Sequence, residues 1–288
     1  MEESQRRALG GAGFVLGGAI MVQWSAALVK PVFAVIGPSA SAGWRFLLGA
    51  VVLMALTRPR FWTWTRQQWV AALALGVSTA FMSLCFYQAI ARIPLGGAVA
   101  IEYLGPFLVA ALARRTARHF AFVVLAGLGV LALVHPGGGL TLTGILFAAG
   151  SGAGWAAYAF ASHRVGGVTL GFEGLAVSMS IAAFVTLPMS LSSAHFFVGR
   201  PYLFGRMLLV AIMWTALGLG AELQALRRLK PSIVSVLLAL DPAVAFGVGW
   251  LLLGQAITTW DLVGLVCVVS AGVAVTYDAA RGELKSAQ

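Results

Sequence analysis

Ten apolar runs follow one another along the chain, at residues 8–29, 38–57, 68–90, 94–113, 119–134, 141–162, 169–191, 205–226, 231–253 and 258–277. A helix needs about 20 mostly apolar residues to cross the hydrocarbon core of a bilayer, and each run is of that order. Soluble domains are about 45–50% apolar and about 25% charged. A chain of 288 residues that is 60% hydrophobic and only 10% charged cannot hide so much apolar surface in an aqueous core. The expected fold class is therefore all-α integral membrane, with ten transmembrane helices. The breaks carry helix-ending residues: Pro31, Pro38, Arg58-Pro59-Arg60, Pro94, His135-Pro136-Gly137-Gly138-Gly139, Gly166-Gly167, Pro201 and Pro231. Trp62, Trp64, Trp69 and Trp260 stand at run ends, as an interfacial aromatic belt requires. The opening MEESQRR leads into a run too long for a cleaved signal, so it reads as a retained first span.

The net charge of +10 does not mark a nucleic-acid binder, because the basic residues are scattered through the short breaks. With the N-terminus in the cytoplasm, fourteen Lys and Arg residues fall on the inner side. Only Lys30, Arg92, Arg200 and Arg206 fall on the outer side, and Arg45 lies within a span. Inner loops collect such charges, so both termini are expected to be cytoplasmic. No loop is long enough to fold as a separate domain, which places any function inside the membrane. Cys85 and Cys267 each sit in an apolar run and suggest neither a disulfide framework nor a metal site.

One stretch, "LGGAVAIEYLGPFLVAAL" from Leu95 to Leu112, sets an acid and a proline inside an otherwise apolar run. Its surroundings recur 136 residues later: Gln88, Ala89, Arg92 and Pro106 align with Gln224, Ala225, Arg228 and Pro242. Residues 1–140 and 141–288 then read as two copies of a five-span unit. Five is odd, so the second copy crosses the membrane inverted, an arrangement common among secondary transporters. Proline lacks the N–H that the carbonyl four residues earlier would accept. Pro106 therefore frees the carbonyl of Glu102, and Pro242 frees that of Leu238. Unpaired carbonyls at membrane depth are tolerated only inside protein or against water, so both breaks are expected to line a central cavity. Pairs such as Gly13/Gly17 and Gly150/Gly154 would allow close helix approach.

With these motifs in view, the chain resembles the EamA family of the drug/metabolite transporter superfamily. The pattern P-L-G-x-A-V-A-x-E-[FY]-x-G-P, Pro94 to Pro106 here, carries the likeness, with "GAGWAAYAFASHRVG" at Gly152–Gly166. The resemblance implies a multi-pass protein of the bacterial inner membrane, similar to amino-acid exporters, with a cavity lined by spans 1, 3, 4, 6, 8 and 9. On this chain that nominates Gln23, Trp24, Ser25, Ser78, Met82, Tyr103, Trp155, Tyr158, Trp214 and Leu217 for substrate binding, around Glu102. Pro106, Asp241 and Pro242 become helix-break and gating positions. Relatives often carry Glu before the second proline; Asp241 keeps that charge on a shorter arm.

Ionisable residues at mid-membrane suggest function by default. Glu102 could hold a substrate ammonium, carry a proton or pair with Arg45. Arg45 lies near enough to the end of its span to snorkel, and Asp241 could cap the helix that follows it. The four histidines lie at run ends without metal-ligand spacing. The leading expectation is export of amino acids and related small metabolites by alternating access, with broad specificity. The expected partners are an amino-acid substrate and the lipid bilayer, with no nucleic acid and no cofactor. Proton coupling through Glu102 and uncoupled diffusion both fit. A multidrug or other metabolite exporter is the alternative. A channel is disfavoured, since no ring of like polar residues repeats along one helix face. An intramembrane enzyme would need a motif such as HExxH or GxSxG with a matching histidine, and none is found.

Overall fold

The structure, a computed structural model, describes residues 2–114, 117–133, 139–165, 171–229 and 231–286. The turns expected at residues 135–138 and 166–167, and the side chain of Tyr158, lie outside the described residues. The described chain is helical, without strand: α1 (Glu2–Val29), α2 (Phe33–Ile36), α3 (Pro38–Thr57), α4 (Arg66–Ile90), α5 (Leu95–Glu102), α6 (Leu104–Arg114) and α7 (Ala117–Leu133). There follow α8 (Leu142–Val165), α9 (Gly171–Ser192), α10 (Pro201–Ile212), α11 (Gly220–Leu226), α12 (Pro231–Leu238), α13 (Asp241–Leu253) and α14 (Thr259–Ser286). A π-helical segment, Met213–Leu219, joins α10 to α11. Among the described residues, seven helical stretches are long and apolar enough to cross a membrane. The fourth, fifth and sixth predicted runs hold the shorter apolar helices Leu95–Val109, Phe120–Leu133 and Leu142–Ala157.

Local chemistry sets the helix ends. Pro38 opens α3 behind Gly37, whose φ of 78° belongs to the region glycine favours. The same helix stops at Arg58, left-handed, with its N–H donating to the Met54 carbonyl. At the start of α4, the Thr65 hydroxyl accepts the Gln68 N–H while the Gln68 side chain accepts the Thr65 N–H. That reciprocal box satisfies two backbone donors which the helix itself leaves unpaired.

The bundle is held by long helix pairs: α3 along α9, α4 along α8, and α7 along α14. Helix α1 packs on the α10–α11 rod and on α12–α13, while α8 also packs on α5 and α6, and α5 on α13. Glycine is required where backbones touch. A Cβ on Gly105 would fall on the Gly152 carbonyl, and one on Gly152 would fall on the Glu102 carbonyl. Gly150 and Gly154 lie against Cys85 and Met82 of α4, as expected, whereas nothing lies within 4 Å of a Cβ built on Gly13 or Gly17. One apolar core gathers Val29, Val32, Ile36, Tyr87, Ile90, Ile93, Leu95 and Val99 where α1 and α4 end and α5 begins. Outside, Leu56, Phe120, Leu131, Phe184, Leu251 and Val266 are exposed. Such an apolar surface suits hydrocarbon, not water.

Candidate functional site

The two proline positions break their helices at matching places. Helices α5 and α12 are each eight residues long and start 136 residues apart. The first break falls at Tyr103, between α5 and α6; the second falls at Ala239–Leu240, between α12 and α13. The freed Glu102 carbonyl lies over Gly152 of α8. Beyond the second break, Pro242 sits in the first turn of α13, where its missing N–H has no helical partner to lose.

Between the breaks lies a cavity of about 160 Å³. Its wall comes from α1 (Val15, Gly18, Ala19, Val22, Gln23), α3 (Arg45), α4 (Met82, Ser83, Phe86) and the first break (Glu102, Tyr103). The remainder is Trp155 of α8, Trp214, Gly218, Leu219 and Glu222 of the π segment and α11, and Leu238 and Asp241 at the second break. The aromatic wall residues pack edge-on: Trp155 meets Tyr103 with ring centroids 4.8 Å apart, and Trp214 meets Phe46, behind the wall, at 5.9 Å. The π segment inserts one extra residue into its helical turn, a distortion frequent at functional sites. It carries Trp214 and Gly218 to the cavity wall.

Three charged side chains of this wall are buried: Arg45 at 2% exposure, and Glu102 and Asp241 each at 8%. Each is tied to a neutral neighbour. Arg45 donates from Nη2 to the Ser83 hydroxyl at 2.7 Å, and its guanidinium lies 3.9 Å from the centre of the Trp214 ring. Asp241 accepts a hydrogen bond of 2.7 Å from the Gln23 amide, so it reaches across to α1 and does not cap α13. Glu102 bonds the Ser151 hydroxyl, which also reaches the Met82 carbonyl at 2.9 Å. The pairing of Arg45 with Glu102 that sequence left open is thus replaced by a serine for each. Several buried polar atoms have no partner: Arg45 Nε, Gln23 Oε1 and Asp241 Oδ1. Such atoms cost free energy unless water or a solute meets them.

Of the residues nominated from sequence, Gln23, Met82, Glu102, Tyr103, Trp155, Trp214 and Asp241 meet in this cavity. Trp24 is 37% exposed, one residue and about 100° around α1 from Gln23, and lies outside the lining. Leu217 faces outward, while the Ser78 hydroxyl bonds the Ala74 carbonyl of its own helix. The Ser25 hydroxyl likewise bonds the Val22 carbonyl. Pro106 and Pro242 shape the breaks without touching the cavity. Two charged residues were missed. Arg45 does not snorkel but is sealed inside, and Glu222, which the sequence analysis did not single out, joins the wall.

Membrane-length apolar helices around a cavity walled by an arginine and buried acids define a polytopic membrane protein whose charges face an internal solute space. The comparisons make the class specific, and the chain belongs to the EamA-like transporter family. The family's sequence profile matches residues 142–277. The chain is 33% identical over 258 residues to the threonine/homoserine exporter RhtA of Escherichia coli strain K12, covering 88% of this chain and 87% of that protein. The threonine/homoserine exporter RhtA of Salmonella typhimurium strain LT2 is 32% identical over the same span. A protein of known crystal structure shares the fold, with a TM-score of 0.61 at 18% identity, covering 94% of this chain and 98% of that one.

Proposed function

We propose that the protein exports amino acids and related small metabolites from the bacterial cytoplasm by alternating access, with the cavity between the two helix breaks as its substrate site. The observation that carries this reading is the 33% identity to a threonine/homoserine exporter, which runs through both halves of the chain. Substrate contact falls to Gln23, Met82, Glu102, Tyr103, Trp155, Trp214 and Asp241. Pro106 and Pro242 act as the fixed kinks of the two broken helices. Ligand pockets commonly hold about 300–1,000 Å³, so a cavity of about 160 Å³ favours a small metabolite over a multidrug substrate.

The architecture in this proposal is ten transmembrane helices in two inverted five-helix repeats, residues 1–140 and 141–288, with both termini cytoplasmic. Packing supports it. Exchanging each span with the one five places on turns α1 against α10–α11 into α8 against α4, and α1 against α12–α13 into α8 against α5–α6. The pairs α3 with α9, α5 with α13 and α7 with α14 map onto themselves. In that orientation the core around Val29, Ile90 and Leu95 seals the outer side, so the cavity belongs to an inward-facing state.

Proton coupling is the second part of the reading. A hydroxyl has one hydrogen, yet Ser151 reaches both Glu102 and the Met82 carbonyl. Both bonds are made fully at once when Glu102 brings a proton of its own, which makes it the proton carrier. Counterflow in proteoliposomes with a panel of amino acids, at two pH gradients, tests all of this. Saturable exchange of several amino acids is expected. If no amino acid moves or competes, the export reading falls; if flux ignores the pH gradient, coupling falls alone.

A further inference from the structure

Arg45 has no assigned work in the reading above, and its burial is hard to account for as scaffold. A cation inside a membrane protein costs several kcal/mol unless paired. Its guanidinium is stacked among Trp214 at 3.9 Å, Tyr87 at 4.6 Å and Phe46 at 4.9 Å, which stabilises the charge and fixes its plane. The rings of Trp214 and Phe46 cannot accept the in-plane N–H bonds of a guanidinium, which offers five donors in a rigid fork, and the Tyr87 hydroxyl, the one oxygen among the three, is itself buried without a hydrogen bond. The Ser83 hydroxyl takes one of them, while Nε is buried with no partner. The same cavity holds the complementary orphans. Asp241 Oδ1 and Gln23 Oε1 are acceptors, buried and unpartnered on α13 and α1. An unsatisfied donor and unsatisfied acceptors lining one cavity are what a zwitterion would satisfy.

Resting on the export reading, we propose that Arg45 receives the substrate carboxylate while Asp241, held by Gln23, receives the ammonium, so the site selects the shared zwitterionic head of amino acids. The guanidinium fork suits a carboxylate, which it binds through parallel charge-assisted bonds. The apolar and aromatic remainder of the wall, Met82, Phe86 and Trp155 among it, meets the side chain, which leaves side-chain specificity loose. The two ends of the head group thereby bridge α3 to α13, elements from different halves of the chain, and tie occupancy to how the halves sit together.

The test is competition against labelled threonine counterflow in proteoliposomes, using threonine, its amide without the carboxylate, and the 2-hydroxy acid without the ammonium. With the wild type, each analogue is expected to compete about 10- to 100-fold more weakly than threonine, the scale of one hydrogen-bonded charge. In Arg45→Gln the preference for threonine over its amide should collapse towards unity, while Arg45→Lys keeps part of it. In Asp241→Asn the preference over the amide should persist and that over the hydroxy acid should shrink. If the wild type moves threonine but treats the amide as its equal, the carboxylate assignment is overturned, a result that needs no variant to fold. Arg45→Gln keeping the full preference overturns it as well. No amino-acid flux in the wild type brings down the export reading and this inference together.

Discussion

The two broken helices share a backbone plan and differ in what they carry. Each begins with an eight-residue segment and breaks shortly before a proline, three residues before it at the first break and two to three before it at the second. In the first, the acid is the last residue before the break, and the backbone around it is pressed onto Gly152 of α8. In the second, the position equivalent to Glu102 is Leu238, and the acid, Asp241, opens the helix after the break. Each acid is held from a different helix: Glu102 by Ser151 on α8, Asp241 by Gln23 on α1. The breaks match in backbone while the acids are offset by three residues, and both acids line one cavity. A symmetric pair could only duplicate a task. An offset pair can divide proton handling from ammonium binding.

The largest expected effect breaks the first helix junction alone. A side chain at Gly152 meets the Glu102 carbonyl, and backbone cannot give way as a flexible side chain can. Overpacking ordinarily costs about 1–3 kcal/mol, so Gly152→Leu is expected to yield no monodisperse protein after detergent extraction. Gly247→Leu on α13, with nothing within 4 Å of its Cβ, serves as the control and should extract normally. Equal yields from the two would remove the backbone contact from the comparison.

Next come the acids themselves. Glu102→Gln and Asp241→Asn should each lower export at least about tenfold in kcat/KM, a loss of about 1.4 kcal/mol of transition-state stabilisation. Their signatures should differ: Asp241→Asn acts mainly through KM, and Glu102→Gln abolishes the response to a pH gradient. Identical signatures would show that the offset divides nothing. Smaller again are the neutral partners. Gln23→Leu strips Asp241 of its hydrogen bond and Ser151→Ala strips Glu102 of its own. Each should cost about 1–3 kcal/mol of stability, read as a lower midpoint in a thermal-shift assay. The smallest effects belong to Ser78→Ala and Leu217→Ala, which touch neither break. Both are expected within about 0.5 kcal/mol of wild type, with unchanged counterflow, and a transport defect in either would extend the site beyond the cavity.

Much of this was readable from residues. The proline breaks were legible because proline acts locally, as a missing N–H at Pro106 and as a helix-opening residue at Pro242. Glu102 and Asp241 stood out because carboxylates are rare at that depth. Facing was less legible. Gln23 and Trp24 are neighbours in a helix whose apolar residues run all round it, so no polar stripe says which of them turns inward. Arg45 was misread for a related reason: distance from a span end allows snorkelling, and only the packing of α3 against α9 and the π segment shows its route to solvent closed. Glu222 was not singled out, because it lies near the end of its apolar run beside Arg227 and Arg228.

What the sequence by itself determined is the membrane class and the two break points, consequences of hydropathy and of proline counted along one chain. Only the tertiary structure decided which charges meet. Arg45, Glu102 and Asp241 lie far apart in sequence, and whether they pair, or stand unpaired around a space, depends on how the helices that carry them cross. Those crossings are set by contacts such as Gly105 on Gly152, between segments that no local rule connects.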